Sequence, residues 1–417
     1  MQRALLLRRV RDALTIPGRN RWTAWAAIPP ASARPVAIER DLRLDFFRGL
    51  SLFFIFIDHI PYNVFSYGTL HAIAFSDAAE VFIFISGYTA ALVYGQLMVR
   101  RGTLVATAQI YYRVWQLYVA HIFIFMIYTA EVSYAMLKLQ TQTYSEELRL
   151  SSFLQEPHVA IVKMMMLQYQ PELLDILPLY IVLLAAFPIV LWLQQRRPLA
   201  PLALSFAIYL MTLYFGWEPK TYPNNEGWFF NPFAWQFLFM VGATAGYAQS
   251  AAQPSIPHWP WLPRAAIAVT VAVAAIKLTW LAHGFREGIP ALFYAQLEEL
   301  ADDKSNLSPL RLVSFFAIAL TTVQFMRRDS AILRNPVCKL IILCGQHSLQ
   351  VFCLGILLSV LGRFIVSAIS ASIWMQLAVN VGGLAVMIAL AALMSWYKKK
   401  SRPPAAAAPA PQPSVAG

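Results

Sequence analysis

Apolar stretches of about twenty residues alternate with short polar segments along most of this chain. A helix of that length spans the roughly 30 Å hydrocarbon core of a bilayer. The pattern predicts about ten spans, near residues 48–67, 77–97, 108–135, 172–193, 199–216, 232–250, 265–283, 309–326, 342–362 and 368–396. The predicted class is therefore all-α, a polytopic membrane protein. Prolines within or beside spans (Pro61, Pro178, Pro188, Pro232) are tolerated in membranes and mark places for kinks. No internal repeat stands out, which counts against the duplicated transporter folds.

Basic residues set the orientation. Arg100-Arg101, Arg196-Arg197, the segment from Pro254 to Arg264, the segment from Arg327 to Lys339 and Lys398-Lys399-Lys400 fall on one side with the Arg-rich N-terminus. The opposite side receives the longer, more acidic segments 138–165, 216–231 and 284–308. Both ends are thus expected in the cytoplasm. Residues 1–43 read as a basic, largely disordered tail, because Ala4 to Leu7 is too short for the apolar core of a signal peptide. Residues 44–397 form the membrane domain, and 398–417 a cytoplasmic Pro/Ala-rich disordered tail.

Composition agrees. The 417 residues are 59% hydrophobic and 13% charged, outside the range of an ordinary soluble domain. Aromatics at 14% suit belts of Trp and Tyr at the bilayer interfaces. A formal charge of +12 would point to nucleic acid in a soluble protein; here Arg and Lys collect at span ends, as orientation signals and contacts to anionic membrane lipids. Nucleic acid is not an expected partner. Cys338, Cys344 and Cys353 lie in one late region without metal spacing, and read as small core residues.

Arg48 and His59 are the most informative pair. Eleven residues apart on one helix, they share a face with Asp45, about 16 Å from each other. Ionisable groups inside a span face protein or a wet cavity and mark function by default. An imidazole near neutral pH is a general base towards a hydroxyl, and a structural interhelical histidine is the alternative. Asp58 projects about 100° from His59 around the helix and need not touch that ring. Arg48 matches phosphate geometry or simply anchors a helix end.

Other polar positions carry the same ambiguity. Asp77 and Glu80, one turn apart at the start of the second span, either steer a hydroxylated acceptor and hold His59, or form a solvated helix end. Ser86-Gly87 reads first as a close-packing site. Arg113 and His121 lie in the third span, Arg113 deep enough for function but able to snorkel. His347-Ser348 lines a channel or glues helices. Glu131 and Asp175 are further carboxylates inside or beside spans. The segment from Asp302 to Arg311, with Lys304, suits a sugar or a small anion, or is a loop capping a helix through Ser308-Pro309. No Gly-rich phosphate loop, Gly-x-Ser-x-Gly elbow or His-Glu-x-x-His occurs.

Leu44-Asp45-x-x-Arg48-Gly49 followed by His59 resembles the opening helix of the acyltransferase-3 superfamily, and Phe82 to Tyr88 resembles its second-span Ser-Gly-aromatic motif. Closer still is a resemblance to the OpgC family, associated with succinyl transfer to osmoregulated periplasmic glucans. It rests on Arg40-Asp41-x-Arg43-x-Asp45, Ala79-Glu80-Val81-Phe82, Asp175 to Tyr180, Asn231 to Gln236, Lys304-x-x-Leu307-x-Pro309-x-Arg311 and Gly345-x-His347-Ser348-Leu349. The resemblance implies a bacterial inner-membrane enzyme with no bound cofactor or metal. It would take a cytosolic acyl-CoA, succinyl-CoA above all, as co-substrate and a periplasmic glucan or related glycan as acceptor. The resemblance implies His59 as the catalytic residue, and Asp58 and Glu80 near it are the further catalytic candidates. Arg48, Asp45, Arg113, His347 and Ser348 would face the donor; Asp77, Asp175, Lys304 and Arg311 would face the acceptor. His59 would deprotonate the acceptor or carry the acyl group, and Lys304 or Arg311 would meet a succinyl carboxylate.

Two other classes compete. A transporter of small anions or lipid-linked sugars would use the same polar residues as a path. A non-catalytic partner of a glycan-synthesis complex would need none of them to react.

Overall fold

The computed structural model describes residues 40–139, 143–250, 259–286 and 288–401. Nearly all of the basic leader and of the Pro/Ala tail lies outside these, as does segment 251–258. Each expected segment overlaps a helix. The helices begin with α1 (Leu42–Asp58), α2 (Ala78–Arg101) and α3 (Thr103–Leu139). Short helices α4 (Thr143–Glu147), α5 (Ser151–Gln155) and α6 (Pro157–Met165) lead into α7 (Ile176–Arg196), α8 (Ala200–Phe215) and α9 (Pro232–Ser250). Then come α10 (Leu262–Phe285), α11 (Tyr294–Asp302), α12 (Pro309–Phe325), α13 (Pro336–Gln346), α14 (Ser348–Ala368) and α15 (Ile373–Lys400). Among the described residues there is no strand, only a bridge between Lys220 and Gly227.

Six helices, α2, α3, α7, α10, α14 and α15, are long and apolar enough to cross a bilayer, so the chain is a multi-pass membrane protein. α8, α12 and α13 are apolar but shorter. On α15 the exposed Trp374 and Trp396 stand 22 residues apart. That is about 33 Å, close to the hydrocarbon thickness, and places an aromatic ring at each interface.

The first span differs from its predicted limits. α1 stops at Asp58, and His59 caps it with φ −90° and ψ 0° instead of continuing to residue 67. Pro61 is the reason: it biases Ile60 away from helical backbone and offers no N–H. Asn63 takes up the slack, donating to the Ile57 carbonyl at 2.9 Å and to Asn380 on α15 at 3.0 Å. His59 is therefore a helix-end residue rather than a mid-span one. The ninth span also differs, because His347 breaks it into α13 and α14.

α1 packs against α2, α13 and α14. Its contact with α13 is backbone on backbone. A Cβ at Gly49 would collide with the Ile341 carbonyl, and one at Gly345 with the Asp45 carbonyl. α2 and α9 meet the same way at Gly87, whose missing Cβ makes room for the Phe239 carbonyl. The packing reading of Ser86-Gly87 thus holds for its glycine. The three cysteines are free, with Cys344 buried and the others half-buried, as small core residues would be.

Candidate active site: two cavities back to back

A cavity of about 940 Å³ opens where α1 ends and α2 begins. That is the upper end of the range for small-ligand sites. His59, Asp58, Asp77, Asp175 and Lys304 all line it. The loops 146–152, 169–175 and 221–230 close its other sides. Carboxylates dominate its charge: among the described residues Asp58, Asp77, Glu146, Glu147, Glu172, Asp175 and Glu226 face only two fixed cations, Arg149 and Lys304. Aromatic walls come from Tyr169, Tyr222, Phe229 and Phe230. Carboxylates accept hydrogen bonds from hydroxyls, and flat rings take the apolar C–H face of a sugar.

At the end of α1 the His59 ring is half-buried, and its Nδ1 lies 2.5 Å from the Ile55 carbonyl oxygen. A carbonyl can only accept, so Nδ1 carries a hydrogen and Nε2 of the neutral ring is the basic nitrogen. Asp58 turns away, as its position around the helix requires. It accepts from the Thr69 hydroxyl at 2.7 Å and stands 3.4 Å from His71 Nδ1. His71, also on the cavity wall, carried no signal in the sequence because a short 3₁₀ turn (Leu70–Ala72) between α1 and α2 folds it back.

The other predicted acceptor groups arrange themselves in depth. Asp77 is the N-cap of α2 and accepts from the Ala79 N–H at 2.8 Å. Glu80, expected beside His59, is fully buried behind it and does not line the cavity. One Glu80 oxygen accepts from the Asp77 N–H at 2.8 Å and the other from Arg311 Nε at 2.7 Å. Arg311 is likewise absent from the wall. Its guanidinium is consumed by Glu80, by Asp77 at 3.1 Å and by the Ala301 carbonyl at 3.1 Å. Of the two cations expected to meet a ligand carboxylate, only Lys304 reaches the cavity. Its ammonium pairs with Asp77 at 2.7 Å and lies over the rings of Phe229 and Phe230.

Lys304 owes its position to the Asn231–Gln236 motif. Asn231 donates to Asn306 at 3.1 Å, and the Trp235 indole donates to the Lys304 carbonyl at 3.0 Å. Ser308 caps α12 ahead of Pro309, as its sequence predicts. Across the cavity Arg363 of α14 ties Glu147 at 3.2 Å to Glu172 at 3.4 Å, joining two rim segments. Outside the spans, burial pushes the Glu172 carboxyl above its ordinary range in spite of that arginine.

A second cavity, about 200 Å³, lies further along the same helices. Arg48, Arg113 and Ser348 line it together with Ser86, Thr89 and Tyr180. Arg48 donates to the Thr89 hydroxyl at 2.7 Å, and Arg113 to Gln116 at 3.1 Å. Among the described residues neither guanidinium has a carboxylate partner, so the cavity carries uncompensated positive charge. The other two predicted donor residues are elsewhere. Asp45 is occupied by Arg40 at 2.6 Å, and His347 Nε2 meets the Ser395 hydroxyl at 2.8 Å. Asp45 belongs to a charge cluster at the start of α1, where Asp41 also pairs with Arg43 and Arg328.

Four helices serve both cavities. α1 carries Arg48 in one and His59 in the other; α2 runs from Asp77 to Tyr94, α7 from Ile176 to Tyr180, and α14 from Ser348 to Ile356. Ile176 and Phe352 line both. A multi-pass helical protein with a basic and an acidic-aromatic cavity on one axis is the class this geometry defines. A family model described as OpgC protein matches residues 40–399, and the chain belongs to the OpgC family. Membership points to a membrane acyltransferase of the glucan-modifying kind. No curated protein and no solved structure matches the chain.

Proposed function

We propose that the protein is an inner-membrane O-acyltransferase. It moves an acyl group, succinyl in our reading, from a cytosolic acyl-CoA to hydroxyls of a periplasmic glucan or related glycan. The observation that carries this is α1 itself, with an arginine that has no carboxylate partner among the described residues in a small basic cavity, and an imidazole in a large carboxylate- and aromatic-lined one.

Charge supports the orientation. α2 runs from the large cavity past the small one to Arg100-Arg101, and α7 runs likewise to Arg196. α15 returns from the large-cavity end of α14 and finishes in Lys398-Lys399-Lys400. The positive-inside rule then puts Arg48 and Arg113 on the coenzyme side with both termini, and His59 on the glycan side. Ten spans would satisfy this arrangement, three of them, α1, α8 and α12, with helices of only 16 or 17 residues.

Chemistry follows from the tautomer. His59 Nε2 takes the proton of an acceptor hydroxyl, whose oxygen attacks the thioester carbonyl. The C–S bond breaks, an ester forms, and the imidazolium returns its proton to the departing thiolate. Arg48 and Arg113 hold the anionic donor. Lys304, one of the two cations on the cavity wall, meets the succinyl carboxylate. The competing transporter reading keeps the same polar residues but gives no role to a basic imidazole on the wall of the large cavity.

Mass spectrometry of envelope glucans, with and without the gene, tests the reading. Acyl esters should disappear without the protein and stay absent with His59→Ala or His59→Gln. Undiminished esterification by either variant, in protein that reaches the membrane, overturns it.

A further inference from the structure

The two cavities are distinct, with a wall of shared lining residues between them. Phe352 and Ile176 line both sides of it, and Phe82 backs it from the small cavity. Phe352 is only 3% exposed although it borders both spaces. Its ring stacks on that of Phe82, with centroids 6.1 Å apart and an angle of 28°. Ile176 opens α7 directly after Asp175 of the large cavity. Phe352 stands one turn after Ser348 and one before Ile356, so α14 presents the small cavity, the wall and the large cavity in succession.

We infer that Phe352, leaning on Phe82 and Ile176, is the door through which the acyl end of the donor enters the acceptor cavity, and that it keeps water from the donor until then. The inference rests on the proposed acyl transfer. At about 200 Å³ the small cavity takes a thin chain, not a bulky group. A thioester held there reaches the large cavity only across this wall. The wall has no hydrogen-bonding side chain, so a gap too narrow for water stays dry. Swinging one unbranched aromatic side chain opens it without moving a helix. Phe352 is thus a positioning residue that couples donor cleavage to the glycan acceptor.

With the door removed, water replaces the acceptor. Its oxygen adds to the thioester carbonyl, the C–S bond breaks, the free acid forms and the thiol keeps the second proton. Two measurements on the full-length protein test this. In a background with Cys338, Cys344 and Cys353 changed to Ala, Ser86→Cys marks the small cavity. A charged, impermeant thiol reagent is applied to sealed membranes from the side of the large cavity. With Phe352 present, modification should be slow. Phe352→Ala should speed it roughly tenfold or more, because an apolar wall excludes a charged reagent. Phe352→Leu should fall between the two, and carries the comparison where alanine fails to reach the membrane.

The second measurement is thiol release from acyl-CoA without acceptor, which should rise severalfold in Phe352→Ala. Equal modification rates with phenylalanine, leucine and alanine would overturn the inference. So would faster modification without acceptor-free thiol release in protein that still esterifies glucan. Faster modification in a protein whose wild type never cleaves acyl-CoA would overturn the acyl-transfer reading and leave the wall standing.

Discussion

His59 gives its Nδ1 hydrogen to the carbonyl oxygen of Ile55, one turn back on α1 and 2.5 Å away. The same carbonyl also accepts the His59 backbone N–H at 3.2 Å, so ring and backbone of one residue share its two lone pairs at the last turn of α1. The ring bond fixes the ring face, so the opposite nitrogen is the basic one. Asparagine at position 59 can still donate to Ile55 but has no basic nitrogen. His59→Asn should therefore reach the membrane in normal amount and lose about 10²- to 10⁴-fold in transfer rate. Ester content per glucan chain measures it; a rate within threefold of wild type, on the order of simple packing loss, would remove the base from the mechanism.

Arg48 reports on the donor side. Lysine in its place keeps the charge but loses the forked geometry and the reach to Thr89. Losing one hydrogen bond to a charged group costs about 1.5–3 kcal/mol, so Arg48→Lys should raise the apparent KM for acyl-CoA roughly ten- to a hundredfold. An unchanged KM would return Arg48 to the role of a helix anchor.

How much of this was legible follows the physics of each group. The pairing of Arg48 with His59 along one helix follows from helical period alone. So does the sharing of Ser348, Phe352 and Ile356 along one face of α14, four residues apart. The end of α1 was signalled by Pro61, yet the apolar run around it masked the stop. What a single chain does not display is depth. Glu80 and Arg311 carry charge like Asp77 and Lys304, and only their packing across 231 positions shows which pair is buried and which faces the cavity. The rim formed by Glu147, Glu172 and Arg363 was hidden for the same reason, because three distant segments supply it.

That buried pair makes its own prediction. Arg311 and Glu80 sit away from water, so removing one partner leaves a charge uncompensated. Arg311→Met or Glu80→Gln alone should cost about 3–5 kcal/mol of stability. The double substitution should cost clearly less than the sum, since neither partner is left charged and alone. Thermal unfolding of detergent-solubilised protein measures all three. Strict additivity would show that the pair acts on stability only through separate contacts.

On the proposed reading, Lys304 decides which acyl group is taken. Its ammonium is held between Asp77 at 2.7 Å and two phenyl rings, half-buried on the wall of a cavity otherwise rich in carboxylates. An acyl group ending in a carboxylate meets repulsion everywhere there except beside Lys304 and Arg149. A neutral acetyl group is indifferent to either cation. Lys304→Met keeps the stem over Phe229 and Phe230 and removes only the charge. With succinyl-CoA the variant should lose roughly tenfold or more in kcat/KM, the value of one charge-assisted contact, while acetyl-CoA is used about as well as by the wild type. Competition between the two donors, scored by the mass of the glucan ester, measures the ratio directly. Equal losses with both donors would mean that Lys304 holds Asp77 and the rim in shape, and that the carboxylate is recognised elsewhere.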